Sequence, residues 1–315
     1  MKKHNSIEAL RLFAALAVIA FHLPILGFGQ FGVDVFFIIS GFVISLSTET
    51  ETNFFFQKRL IRILPTYYFF TIGVFLLALI FPPLLNNTKP DIFHLLKSLL
   101  FIPFDKNGIG HYPLFYVGWT LNYEIYFYAL FAIALKISKK YRTILSTLLI
   151  SIVFIFGKSF SYFPLQVYSN SIVYEFVIGM AMYEFIVVRR YKNVLIILLI
   201  FLISIIFNRI SLDERFFYYG IPSTFFICGT ICFFQDRHIP NFLTVLGSAS
   251  YSIYLIHPFV IQIFDKILNF HQFTIYYQIL TSFFCILFIN ISALFFYRLI
   301  ELPTIKLLRK FTIKE

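Results

Sequence analysis

Charge is what this sequence has least of. Asp, Glu, Lys and Arg make up 13% of its 315 residues, against about a quarter in soluble domains. That shortage excludes an ordinary water-soluble enzyme. A disordered chain is excluded too, because such chains are poor in apolar residues. The little charge present is unbalanced, with 26 Lys and Arg against 15 Asp and Glu, a net +11. A nucleic-acid face needs polar surface that this chain does not have, so no nucleic-acid partner is expected. Cysteine is scarce as well. Cys228, Cys232 and Cys285 all lie in apolar runs, and an odd count without paired spacing excludes a disulfide framework and a zinc site. His4, His94, His111, His238 and His271 fall at no metal-ligand spacing, and no metal is expected. A cleavable leader is not read at the N-terminus, because Arg11 interrupts the first apolar run. With no linker, low-complexity tract or internal repeat, residues 1–315 read as one transmembrane domain.

What is there is apolar: 59% hydrophobic and 21% aromatic residues, with mean hydropathy +0.84. A spanning helix needs about 20 mostly apolar residues. Candidates fall at 8–27, 32–48, 63–82, 118–136, 142–157, 171–188, 193–208, 216–234, 248–268 and 276–299. Alternating patterns with regular turns are absent, which disfavours a β-barrel. The expected fold class is all-α, a polytopic protein of the lipid bilayer with about ten transmembrane helices. Residues 91–102 are too short to span and read as an interfacial helix. Residues 54–62 read as an amphipathic turn leading into the third span.

Loop charge sets the expected orientation, since Lys and Arg gather on the cytoplasmic side. With the N-terminus inside, the clusters Lys58/Arg59/Arg62, Lys136/Lys139/Lys140/Arg142, Arg189/Arg190/Lys192 and Arg298/Lys306/Arg309/Lys310 are cytoplasmic. The other side keeps only Lys89, Lys97, Lys106, Lys158, Arg209 and Arg215. That asymmetry predicts an N-in, C-in topology. The long connection 83–117 is then an outer, structured loop.

Ionisable groups within spans are costly and are the first candidates for function. Arg11 and His22 stand about three helical turns apart and share one face of the first span. Glu8 lies within pairing reach of Arg11. Asp34 opens the second span, where a helix cap is the plain alternative, and Glu124 lies more than a turn into the fourth. One imidazole and two carboxylates therefore converge in depth on the outer half, the arrangement of a general base with an orienting acid. On the inner side Arg59 and Arg62, three residues apart, offer planar forks for phosphate, and Arg11 at similar depth completes such a site. His257, followed by Pro258 in the ninth span, reads as structural or pocket-lining rather than catalytic. Glu301-Leu302-Pro303 reads as the end of the last helix.

The ordered set of motifs resembles the acyltransferase 3 family, membrane-bound O-acyltransferases of bacterial surface polysaccharides, over nearly the whole chain. The resemblance rests on Arg11 followed by His22, Gly32-Val33-Asp34-Val35-Phe36-Phe37 with Ser40-Gly41-Phe42, and Arg59-Leu60-Ile61-Arg62. It continues through Trp119-Thr120-Leu121 with Glu124, Phe127 and Tyr128, and ends in Ser250-Tyr251-Ser252-Ile253-Tyr254-Leu255-Ile256-His257. Asn122-Tyr123 departs from the family, where many members carry a second acid before the Glu124 position. Many relatives append an SGNH-type hydrolase domain, and a stand-alone form is expected here.

The resemblance implies an O-acetyltransferase of the bacterial inner membrane. Acetyl-CoA is the expected donor, and a surface polysaccharide or lipid-linked glycan the acceptor. It implies that Arg11, Arg59 and Arg62 bind CoA phosphates from the cytoplasm while the pantetheine arm follows the Arg11–His22 face. His22 is then the general base on a glycan hydroxyl, oriented by Glu124 or Asp34, and Trp119, Tyr251 and His257 contact substrate. The competing reading is a transporter or flippase of a glycan or lipid-linked intermediate. It would call for charges spread through several spans and for internal repeats.

Overall fold

The computed structural model describes residues 5–85, 88–105, 112–208, 214–234, 237–268 and 274–312. His4, Lys106, His111, Arg209 and His271 lie outside the described residues. Among the described residues fourteen α-helices follow one another: α1 Asn5–His22, α2 Phe31–Thr50, α3 Phe55–Ile80, α4 Ile92–Leu99, α5 Trp119–Ile137, α6 Arg142–Phe156 and α7 Phe163–Tyr168. The second half is α8 Val173–Tyr183, α9 Tyr191–Asn208, α10 Ile221–Phe233, α11 Asn241–Ser248, α12 Ser250–Leu268, α13 Ile275–Phe296 and α14 Leu302–Thr312. There is no strand among the described residues. The protein is a helical membrane protein.

Every expected span contains a helix, but fewer are long enough to cross. Among the described residues five helical segments are long and apolar enough, or six if the bent pair α11–α12 forms one span. The difference from about ten is one of length in some helices and of apolar character in α5, which has 19 residues but carries Asn122, Glu124 and Lys136. Helix α6 has 15 residues and α8 has 11, which at 1.5 Å per residue reach roughly 23 and 17 Å, short of a core about 30 Å thick.

Two local expectations are corrected. Residues 54–62 are not a separate turn, since α3 runs unbroken from Phe55 through Pro65 to Ile80. Proline removes one hydrogen bond from a helix interior, and the apolar length on either side outweighs that loss. Glu301 does not end the last helix either. A π-helical turn, Tyr297–Glu301, joins α13 to α14. The π-turn accommodates Pro303, which has no N–H to give to the regular helical ladder. Residues 91–102 behave as expected. Helix α4 is capped by Asp91, whose carboxylate accepts from the backbone N–H of Phe93 and His94, and it buries His94 and Ser98.

The chain folds as two compact units, residues 1–39 with 219–307, and residues 40–218 with 308–315. In the first unit α1 packs on α11 and α12, and α12 on α13. Small residues set the closest approach. A Cβ on Gly247 of α11 would lie 1.9 Å from the Glu8 carbonyl oxygen of α1, so only glycine allows these two backbones to touch. In the second unit α6 is central, against α5, α8 and α9. Its buried face carries Arg142, Thr143, Ser146, Thr147, Ile150, Ser151 and Phe154. Gly41 of α2 meets α8, where a Cβ would lie 2.1 Å from the Phe176 carbonyl oxygen.

Candidate active site

In the first unit the site grows from the end of α1. Pro24 stops that helix, so His22 is its last residue, with the ring half-buried. The Nδ1 of His22 lies 2.8 Å from the Val18 carbonyl oxygen, four residues back. A carbonyl only accepts, so Nδ1 carries the proton and Nε2 of the neutral ring carries the lone pair. The helix backbone thus fixes both tautomer and ring orientation.

The second imidazole of this unit is His257 of α12, fully buried. Its ring centroid lies 4.9 Å from that of His22, at an interplanar angle of 51°. Its Nδ1 donates to the Tyr254 carbonyl oxygen at 2.6 Å. Spacing along the chain carries no sign that His22 and His257 meet, because each is one residue on a helix far from the other in sequence. Tyr251, six residues before His257 on α12, is half-buried. Asp34 is the fourth residue of α2 and fully inaccessible. It therefore lies inside the first turn rather than at the cap, where the helix dipole favours a carboxylate. Arg11 pairs with Glu8 at 3.4 Å. A buried bond from the Ser252 hydroxyl to Glu301 ties α12 to the π-turn.

The second unit holds Glu124, Arg59, Arg62 and Trp119. Glu124 Oε1 accepts from the Ser40 hydroxyl at 3.2 Å and from the hydroxyl of Tyr128, one turn along α5. The Arg59 guanidinium lies 6.0 Å from the centroid of that same tyrosine ring and 5.6 Å from Phe55. It also donates to the Ser47 hydroxyl at 2.6 Å. A carboxylate and a cation expected at opposite depths are thus joined through one aromatic side chain. Arg62, one turn beyond Arg59, is half-buried. Trp119 stands edge-on to Tyr123, with centroids 6.0 Å apart. Beside this network is a groove of about 560 Å³ between the start of α3 and the end of α5, lined by Phe54, Phe55, Phe56, Ile133 and Lys136 among others. Its Phe55 is the ring that Arg59 covers.

Arg142 escaped the sequence reading, which placed it among the cytoplasmic loop charges. It is 2% exposed. It donates to Thr48 Oγ1 at 3.0 Å, the Lys139 carbonyl at 2.7 Å, the Ser45 carbonyl at 3.0 Å and Glu49 at 2.8 Å. Tyr183 donates to the same carboxylate at 2.6 Å. A signal was present: the hydroxyls of Thr143, Ser146, Thr147 and Ser151 form a polar stripe along an otherwise apolar helix, which marks the interior face of a membrane helix, and Arg142 begins it.

Among the described residues no group of three or more His, Cys, Asp or Glu could hold a metal ion. The helical membrane scaffold and its oriented imidazole define a class of intramembrane enzyme, and sequence comparison supplies the family. Residues 4–298 match the acyltransferase domain family, and the chain belongs to that family. It is an acyltransferase. It is 31% identical to the exopolysaccharide production protein ExoZ of Rhizobium meliloti, over 81% of this chain and 83% of that protein. It is 28% identical to the peptidoglycan O-acetyltransferase OatA of Listeria monocytogenes, over 87% of this chain but 52% of OatA, so it spans about half the length of that relative. A third relative is the O-acetyltransferase OatA of Staphylococcus aureus, 28% identical over 46% of this chain and 27% of that protein. No solved structure matches.

Proposed function

We propose that the protein is an O-acetyltransferase that carries an acetyl group from cytoplasmic acetyl-CoA to a hydroxyl of a surface polysaccharide or lipid-linked glycan outside the bacterial inner membrane. The observation that carries this reading is the fixed tautomer of His22. Its Nδ1 is held by the Val18 carbonyl, so Nε2 is left as a base for a hydroxyl. The relatives named for exopolysaccharide production and for peptidoglycan O-acetylation support acyl transfer to a glycan.

In this reading Nε2 of His22 takes the proton of the acceptor hydroxyl as its oxygen attacks the thioester carbon. The C–S bond breaks, and the departing thiolate recovers the proton from His22. Asp34 or Glu124 orients His22 and supplies the negative charge that favours the imidazolium. Arg11, Arg59 and Arg62 receive the CoA phosphates, and Trp119, Tyr251 and His257 contact substrate. The groove beside Arg59, aromatic with a lysine at its rim, has the chemistry to take an adenine ring and a phosphate. An N-in, C-in chain of about ten membrane-crossing or re-entrant segments presents the Arg59 end to the cytoplasm.

The test is direct. Purified protein, given labelled acetyl-CoA and a surface glycan, yields acetylated product, and His22→Ala lowers the rate by roughly 10²- to 10⁴-fold with no loss of expressed protein. Movement of glycan without consumption of acetyl-CoA would falsify the assignment and establish transport instead.

A further inference from the structure

Three non-glycine residues among those described hold a backbone φ in the left-handed region: Phe54, Phe101 and Arg189. That region is costly for a bulky side chain, so each calls for a reason. Arg189 closes the π-turn that ends at Val188. Phe101 is buried, and its ring centroid lies 4.9 Å from that of Tyr67. Phe54, at φ 54° and ψ 28°, is different. It precedes α3 and makes no side-chain capping bond, so glycine would fill the position without strain. It is 45% exposed, and its ring meets no other ring among the described residues. What it does line is the groove of about 560 Å³ between α3 and α5, a volume in the range of ligand clefts. Ala129 and Ala132 of α5 line it too, and their small side chains keep it open. The surroundings are cationic. Lys136 is part of the groove, and Arg59 covers the ring of Phe55. The charged neighbours of Arg59 are two cations, Arg62 and Arg309 of α14, against one acid, Glu124, among the described residues. An aromatic slot edged by cations suits a flat heterocycle that carries phosphates.

We infer that Phe54 is a specificity-determining residue for the acyl donor, its ring stacking on the adenine of CoA in the groove between α3 and α5. The inference rests on the proposed use of acetyl-CoA and adds the side chain that selects the nucleotide end of that donor. An ordinary backbone conformation at residue 54 would redirect its side chain. Strain is the cost of having the ring line the groove, and a base stacked on it offsets that cost. The adenine and the thioester lie at opposite ends of the donor, so Phe54 takes no part in the chemistry. It supplies remote binding energy, which a donor lacking the nucleotide cannot use.

Two donors and three substitutions test the inference in the full chain, with glycan as acceptor. Acetyl-CoA is compared with S-acetylpantetheine, which keeps the thioester and arm but has no adenine or phosphate. The quantity read is the ratio of kcat/KM for the two donors. Phe54→Gly removes the ring and relieves the backbone at once, so its heat stability should equal or exceed that of the parent. Ala132→Leu fills the groove from α5 and leaves Phe54 in place. Phe54→Tyr keeps an aromatic face. The parent should prefer acetyl-CoA. That preference should fall by roughly 5- to 150-fold in the Gly and Leu chains, the worth of one base stacked on an aromatic ring, through a raised KM for acetyl-CoA. The Tyr chain should keep most of it. Adenosine 3′,5′-bisphosphate should compete with acetyl-CoA in the parent and do so more weakly, by a similar factor, in the Gly chain. If Phe54→Gly does not accumulate, Ala132→Leu carries the comparison. A parent without preference, a parental ratio in the Gly or Leu chain, or an equal loss with both donors would overturn the role of Phe54. Loss of bound phospholipid from the Leu chain with the ratio unchanged would give the groove to a lipid chain instead. A parent that transfers acetyl from neither donor would overturn the proposed function itself, so the two failures are distinguishable.

Discussion

Arg142 heads the largest fully buried side chains among the described residues, and its surroundings explain how a cation survives there. Every branch of the guanidinium has an acceptor, and only one of those acceptors, Glu49, is charged and itself 42% exposed. Removing the two partners should therefore have unequal effects. Arg142→Met removes the bonds to Thr48, Ser45, Lys139 and Glu49 together and should destabilise by about 3 kcal/mol. Glu49→Gln leaves an acceptor in place near water and should cost about 1 kcal/mol or less. Thermal inactivation in detergent checks the order. Equal effects would mean that the ion pair, rather than the backbone acceptors, holds the cation. Tyr128 makes a similar case for the candidate site. Its hydroxyl donates to Glu124 and its ring faces Arg59, so Tyr128→Phe keeps the cation–aromatic contact and loses only the hydrogen bond. The expected outcome is a loss of activity of about tenfold with KM for acetyl-CoA retained, whereas Arg59→Ala should raise that KM. The identities of His22, Arg59 and Glu124 as out-of-place polar groups were legible, because charge inside apolar runs is rare enough to stand out. Their partners were not, since the meeting of His22 with His257 or of Arg59 with Tyr128 depends on how helices pack.

Helices were the most legible elements, because an apolar run long enough to enter a membrane has to satisfy its own backbone hydrogen bonds. Breaks within them were not legible. The π-turn at Glu184–Val188 carries no sequence punctuation, those at Phe216–Gly220 and Tyr297–Glu301 stand beside Gly220, Pro222 and Pro303 in positions that would equally end a helix, and the 69° bend between α11 and α12 falls at Ala249, between two serines. Glycine separates the roles that small residues play along these helices. A methyl group at Gly247 or Gly41 would drive into the backbone of the facing helix, so Gly247→Ala and Gly41→Ala should each destabilise by at least about 1–3 kcal/mol. Gly73 of α3 and Gly229 of α10 have nothing within 4 Å of the added Cβ. There Ala should stabilise by about 0.5–1 kcal/mol through helix propensity alone. Parallel thermal denaturation of the four variants decides the matter. A stabilised Gly247→Ala would mean that α1 and α11 are not in backbone contact.

For the whole molecule, the chemistry and the charge distribution make one joint demand. A donor made in the cytoplasm and an acceptor displayed outside must both reach one imidazole, and the basic clusters say which face is which. The reaction should therefore be vectorial. In sealed vesicles containing the protein in one orientation, acetyl-CoA supplied on the side of Lys58, Arg59 and the basic C-terminal helix, with glycan on the other, should give product. Acetyl-CoA supplied only on the glycan side should give none until the vesicles are opened by detergent. Equal rates from both sides would mean that donor and acceptor enter by the same face. The inner placement proposed for Arg59 and Arg62 would then lose its purpose, although the His22 chemistry would stand. The two ideas are separable because they rest on different physics: charge asymmetry across a bilayer in one case, and a backbone-fixed tautomer in the other.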